Sequence, residues 1–489
     1  MRVNWRWSVC SVVLLCVPYS SAILLKTNPE ENAPEQIHLS WSGNPTEMYV
    51  TWATPRASAV SSVRFGMDNK TLTSNISGES TTFVDGAVAH KVRYIHRATM
   101  QYLQPGNRYY YQVGSDAGWS DVYSFRSIRN GSDWSPRLLV YGDMGAVNAR
   151  SLQQMTKEVL EDRYDLVLHV GDFAYDLPTR NGDVGDEFLR NLEPLAANIP
   201  YMTVVGNHEE KFNFSHYKNR FTCPGDSEGM FYSIDVGPLH ITVISTEFYF
   251  FLRYGVQQIY NQFYWLGNDL QKAAAKDSNA WIFVAGHRPL YCSNPDIVDC
   301  NPKGNIFRKG IPLLMIPGIE DLLYESGVDV GIWAHEHSYE RTWPVYDLKV
   351  LNGSASEPYT DPEGIVHIIT GSAGCQENHT RFNPHPYDFS AFHTTDYGFT
   401  RMTVHNRTHL QFEQVSDDKN YVVVDSVWVK KTSPGRPVWY REKKRKQLLE
   451  EMERIRNYDR FNGPLVRSRA RYGHPRKPAQ QDPKKPQRL

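Results

Sequence analysis

The chain has 489 residues, 40% hydrophobic and 13% aromatic, which is enough to bury one large core and a smaller domain beside it. Its formal net charge of −1 gives no long-range attraction to polyanions. Nucleic acid and anionic membrane are therefore excluded as default partners.

The first elements set the compartment. Arg2 and Arg6 precede an apolar run over 9–17, and Ser20-Ser21-Ala22 supplies small residues for cleavage. This is the layout of a signal peptide, assigned to 1–22, and the run is too short to serve comfortably as a membrane anchor. No later stretch is long and apolar enough to span, so the expectation is secretion without stable membrane insertion, a lysosomal destination being the variant. Asn-X-Ser/Thr sequons at Asn69, Asn75, Asn130, Asn213, Asn352, Asn378 and Asn406 fit glycosylation along that route. With Cys10 and Cys16 removed, Cys223, Cys292, Cys300 and Cys375 remain and allow three pairings. The short loop between Cys292 and Cys300 favours that pair and leaves Cys223 with Cys375; buried free thiols are the alternative.

Residues 23–131 read as short alternating strands: 36–41, 47–52, 62–65, 94–100, 109–114 and 122–126. They predict a small antiparallel sandwich with Trp41 and Trp52 in its core. The segment 103–111, with its Pro-Gly turn and three tyrosines, resembles part of a fibronectin type III domain. After a hydrophilic linker at 130–133, apolar β-branched runs at 137–141, 166–170, 201–205, 240–245, 281–285, 328–333 and 366–370 alternate with helix-like segments at 149–162, 263–276 and 318–326. That alternation predicts an α/β domain over 132–400 with buried sheets. Strands at 400–405, 409–416 and 421–429 complete it within 401–432. The tail 433–489 is charged, with a solvated helix at 441–456 and a basic, Pro-rich, disordered end.

The informative side chains follow the strands: Gly142-Asp143, Gly171-Asp172-Phe173-Ala174-Tyr175, Gly206-Asn207-His208-Glu209, Gly286-His287 and His335-Glu336-His337. Ligand sites in α/β sheets form outside the carboxyl ends of strands, where such loops converge. Each motif alone is weak, since Gly-Asp often makes a turn. All five in order, each at a strand end, are a strong signal for a metal centre. His169, inside an apolar strand, reads instead as a core histidine.

The order resembles the metallophosphoesterases and, within them, the purple acid phosphatases. Gly145 stands where generic members place a histidine, and Tyr175 stands where the purple branch has its tyrosine. The resemblance covers the chain from the sandwich to Val429. It implies a four-layer α/β (α+β type) metallophosphoesterase domain with a β-sandwich, preceded by an all-β fibronectin type III-like domain. It further implies Fe(III) held by Asp143, Tyr175 and His337, and a divalent ion held by Asn207, His287 and His335, with Asp172 bridging. Hard anionic donors suit Fe(III); imidazoles and an amide suit Zn²⁺ first, Fe²⁺ or Mn²⁺ otherwise. The implied activity is hydrolysis of small phosphate monoesters by metal-activated hydroxide, with His208 as the acid for the leaving oxygen.

Two departures from the family bear on substrate. The stretch 291–297 lacks the further histidine pair of plant members and carries Asn294, Pro295 and Asp296 instead. Ala334 replaces the usual glycine before His335, and Glu336, between the histidines, is expected to point away from the metals. Rival readings are a diesterase or pyrophosphatase of the same superfamily, or a non-catalytic secreted binding protein. Oligomeric state is not legible.

Overall fold

A computed structural model describes residues 32–58, 60–115, 118–435 and 437, with 446, 447, 449, 450 and 453. The signal segment and nearly all of the charged tail therefore lie outside the described residues. The first domain is two antiparallel sheets. One is ordered Glu35–Ser40, Met48–Thr54, Val92–Met100, Glu79–Val84; the other runs Ser74–Ser77, Ser62–Gly66, Arg108–Ser115, Gly118–Trp119, with Tyr123–Arg126 on the far side of Arg108–Ser115. Trp41 and Trp52 are buried, as expected of core residues, and the Trp41 N–H reaches Met202 Sδ of the second domain at 3.3 Å. Strands Ser74–Ser77 and Glu79–Val84 were not legible: their residues are mostly polar and exposed, so no alternation of burial marks them.

The second domain is built on alternation within its strands. Leu138 and Val140 of strand Arg137–Tyr141 join the apolar cluster that also holds Ile241, Phe283, Ile332 and Ile368, whereas Leu139 and Tyr141 join the helices. The sheet Tyr201–Val204, Leu166–Val170, Arg137–Tyr141, Gly398–Val404, His409–Ser416, Val422–Lys430 thus packs face to face on the sheet Tyr232–Val236, Leu239–Val243, Trp281–Ala285, Val330–Trp333, Val366–Thr370, Tyr339–Thr342, Ser390–Thr394. Helices Leu152–Leu160 and Asp183–Ala196 cover the outer face of the first sheet. Gln257–Lys276 and Glu320–Glu325 cover that of the second, making four layers. Period-two strands with both faces apolar require this double cover.

Three helices match their expected positions with shifted ends; Asp183–Ala196 was missed because Gly185 and Pro194 interrupt its pattern. That helix is also the bracket between domains. Glu193 Oε2 accepts from Ile37 N–H at 3.1 Å, and Asp186 Oδ1 accepts from Arg93 Nε and Arg220 Nη1, each at 2.8 Å. Burial of these paired charges and of the shared apolar cluster makes the two domains one packed body. Among the described residues no helix is long and apolar enough to cross a membrane.

Candidate metal centre

The carboxyl ends of the parallel strands converge where the two sheets meet, and there the sequence motifs come together in two groups. In the first, Tyr175 Oη donates to Asp143 Oδ1 at 3.0 Å and lies 2.9 Å from His337 Nε2, which is 3.6 Å from Asp143 Oδ1. In the second, His287 Nε2 lies 3.1 Å from both Asp172 Oδ2 and Asn207 Oδ1, and His335 offers a nitrogen within 4.8 Å of the Asp172 and His287 ligand atoms. The His335 backbone N–H donates to Asp143 Oδ2 at 2.9 Å and ties the groups together.

The outer ring nitrogens are already engaged. His287 Nδ1 bonds Val170 O at 2.8 Å and His337 Nδ1 bonds Asn378 O at 2.9 Å, so Nε2 is the inward atom in both. His335 is reversed: its Nε2 lies 3.0 Å from both Asp299 Oδ2 and Arg288 Nη1, leaving Nδ1. Such outer partners fix the tautomer of a metal-ligating histidine.

The backbone concentrates its unusual conformations here. Asp143, Asp172, Tyr175 and His335 all have φ between 48° and 71°, a region L-residues occupy only when their surroundings hold them, and characteristic of functional sites. Glycines serve mainly by close approach. A Cβ on Gly171, itself at φ 88°, would lie 2.4 Å from His287 Nδ1, and one on Gly206 would lie 2.2 Å from Asp172 Oδ1. Ala334 fits for the same reason, since a Cβ on Gly142 would lie 2.4 Å from the Ala334 Cβ.

Electrostatically the site concentrates buried charge. Burial pushes the Asp143 carboxyl up to about 7, the Asp172 charge adding to it against the pull of His287. Burial likewise lowers His337 to about 4. His208 sits at the rim with its ring 4.4 Å from that of Tyr175. Its Nδ1 is 2.6 Å from Asp176 Oδ1, and its Nε2 is 3.9 Å from Asp172 Oδ2 and 3.8 Å from Glu377 Oε1. Burial opposes its charge, yet the hydrogen bond to Asp176 and the Asp172 charge outweigh that and raise it to about 9.

Several contributors were not assigned from sequence. Glu209 accepts from Gly206 N–H at 2.9 Å, Asp172 N–H at 3.0 Å and Phe173 N–H at 3.0 Å, locking two ligand loops; its place in the Gly-Asn-His-Glu string was the available signal. Asp176, one residue past Tyr175, had the same kind of signal. Arg288, one residue past His287, had it too; Glu247 and Asp299, which complete the bracket around His335, come from separate loops and gave none.

The cysteines divide unequally. Cys292 and Cys300 form a disulfide, as their spacing predicts. Cys223 and Cys375 are free thiols and do not pair, which corrects the expected second bridge. Their surroundings share nothing: Cys223 Sγ is 3.4 Å from Thr203 Oγ1, while Cys375 Sγ is 3.3 Å from His337 Nδ1. His169 is fully buried among Tyr141, Phe173 and Tyr201. Asn294 is also buried and donates to Arg381 O at 3.0 Å, and Asp296 accepts from Asp299 N–H at 3.0 Å, so both brace the loop that replaces the plant histidines. Glu336 is buried with its Oε1 3.2 Å from Cys300 Sγ. Of the sequon asparagines, Asn69, Asn75, Asn130, Asn378 and Asn406 are exposed, and Asn213 and Asn352 half-buried.

The chain resembles known proteins along most of its length. Residues 34–127 match the family model "Purple acid Phosphatase, N-terminal domain", 136–339 "Calcineurin-like phosphoesterase" and 364–426 "Iron/zinc purple acid phosphatase-like protein C". Acid phosphatase type 7 of Mus musculus is 49% identical over 428 residues, 87% of this chain and 97% of that protein. Fe(3+)-Zn(2+) purple acid phosphatase 12 of Arabidopsis thaliana is 26% identical over 82% of this chain and 85% of its own length. The solved purple acid phosphatase PPD1 from yellow lupin (Lupinus luteus) seeds shares the fold, with a TM-score of 0.67 at 23% identity over 82% of this chain and 75% of that one. Identity at the level of the mouse protein, across nearly all of its length and on this two-domain frame, establishes the chain as a phosphatase enzyme of the purple acid phosphatase family.

Proposed function

We propose that the protein is a secreted, dinuclear-metal acid phosphatase that hydrolyses small phosphate monoesters. The observation that carries this is the meeting of seven donors from five loops in two groups joined by His335 N–H and Asp143. Their chemistry fits a metal pair: among the contacts described, the buried Asp143 and Asp172 face imidazoles, an amide and a phenol rather than lysine or arginine. Buried carboxylates of this kind are paired or bind metal. Asp143, Tyr175 and His337 are hard or anionic enough for Fe(III). Asn207, His287 and His335 suit a divalent ion, Zn²⁺ before Fe²⁺ or Mn²⁺, with Asp172 shared; the Arabidopsis relative's name supports that mixture.

When bound, such a pair neutralises a phosphate and acidifies water. The chain's own groups do the rest. Asp176 holds His208 Nδ1 and so aims Nε2 at the pocket rim, where it delivers a proton to the leaving oxygen. Glu209 keeps the loops of Asp172 and Asn207 in one relative position through three backbone N–H groups. The basic-then-apolar start at 1–22, exposed sequons and the Cys292–Cys300 disulfide support the secretory route.

Elemental analysis of the purified protein, with pH–rate profiles on an aryl monoester and its diester, tests the reading. One iron and one divalent ion per chain, and preference for the monoester in acid, are expected. Preference for the diester would replace the substrate class, and absence of bound metal would overturn the assignment.

A further inference from the structure

Cys292 and Cys300 close a loop directly beneath the His335-Glu336-His337 segment. Cys300 Sγ rests 3.2 Å from Glu336 Oε1. The residue before it, Asp299, is 2% exposed and reaches His335 Nε2 at 3.0 Å. The same Asp299 Oδ2 receives Arg288 Nη1 at 2.5 Å. Arg288 in turn is fixed by Glu247 at 3.0 Å and lies over the Phe250 ring, 4.2 Å from its centroid. Since Arg288 follows His287 in the chain, one bracket touches the segments of two of the three residues assigned above to the divalent ion.

The reversal of His335 gives this bracket its significance. Its Nε2 lies 3.0 Å from both Asp299 Oδ2 and Arg288 Nη1; a guanidinium only donates, so Asp299 is the acceptor that an outward Nε2–H needs for Nδ1 to present a lone pair inward. A carboxylate behind a ligating imidazole fixes the tautomer and raises its basicity, and removing it typically costs 10–100-fold in metal affinity. Asp299 has no helix or sheet of its own to hold it. Its backbone is held by the disulfide next to it, by Asp296, whose Oδ1 accepts the Asp299 N–H at 3.0 Å, and by Asn305, whose Nδ2 donates to Asp299 O at 2.7 Å.

From this geometry we infer that Asp299 is a positioning residue for the divalent half of the centre alone, and that the Cys292–Cys300 disulfide holds it in place. The inference rests on the ligand assignment proposed above. It makes the disulfide loop, where plant members carry histidines, a support for the metal rather than a substrate contact.

The test uses the full-length, iron- and zinc-loaded enzyme, dialysed against rising concentrations of dipicolinate, with zinc and iron per chain and the visible band recorded. Asp299→Ala should lose zinc at roughly 10–100-fold lower chelator while keeping iron and colour. Asp299→Asn, which still offers an acceptor to His335, should lose less. Cys292→Ser with Cys300→Ser should behave like Asp299→Ala; if that pair does not fold, the two Asp299 variants decide. Zinc retention equal to the parent, or parallel loss of zinc and iron, in Asp299→Ala overturns the inference. His335→Ala separates the two levels. If it keeps zinc, the ligand assignment fails and this inference with it; if it loses zinc while Asp299→Ala does not, only this inference fails.

Discussion

The Tyr175 hydroxyl lies 3.0 Å from Asp143 Oδ1, although the two residues follow different strands. A phenol buried against a carboxylate resists ionisation, and burial and the Asp143 charge hold Tyr175 well above its ordinary range. A trivalent cation held by these two residues would reverse that balance, because it would stabilise the phenolate. Tyr175→Phe should therefore abolish the visible absorbance while leaving part of the metal bound. Unchanged colour would remove the iron–phenolate assignment.

His208 touches Asp176 with one ring nitrogen and presents the other at the rim. His208→Ala should retain both metals and lower kcat by about 10²–10⁴ for alkyl phosphates, as for loss of a general acid. Aryl esters with good leaving groups should suffer much less. Equal losses across leaving groups would show that the His208 ring orients the bound phosphate and does not protonate the leaving oxygen; the His208 backbone N–H that donates to Asp172 Oδ1 at 2.9 Å is kept in this variant.

Glu209→Ala leaves the N–H groups of Gly206, Asp172 and Phe173 without their acceptor. Each buried, unmatched donor costs about 1–3 kcal/mol. A clear drop in Tm together with loss of metal is expected; Glu209→Gln, which keeps one acceptor oxygen, should fall between. A Tm within a degree of the parent for Glu209→Ala would contradict this role.

The stability of the fold should itself favour acid, through a group remote from the metals. His240 is buried with Nδ1 2.6 Å from Asp235 Oδ1 and Nε2 3.0 Å from Asp269 Oδ2. Burial lowers its basicity, but the two carboxylates outweigh this and raise it to about 9. A raised base contributes fully below its unfolded value near 6.5 and loses that contribution as pH rises through about 9, an effect of about 3 kcal/mol. The parent Tm should fall between pH 7 and 10 more steeply than that of His240→Gln; parallel curves would refute it.

What the sequence revealed and concealed follows from how each feature is encoded. That the seven side chains would meet was legible because each follows an apolar strand, where periodicity locates the loop. Buried strands such as Leu166–Val170 were legible for the same reason. Strands Ser74–Ser77 and Ser390–Thr394, lying at the margins of their sheets with few buried residues, carry no such pattern. Asp299 and Glu247 support His335 from loops far apart in sequence, and only the folded chain brings them together. The spare cysteines were paired by counting, and counting carries no information on distance.

The most direct test of the shared centre is Asp172→Ala, assayed by metals per chain and by activity on an aryl phosphate at acidic pH. Two metals in the parent, near-complete loss of both in the variant, and loss of hydrolysis with them are expected. A variant that keeps full activity, or keeps both metals as the parent does, would contradict a shared centre.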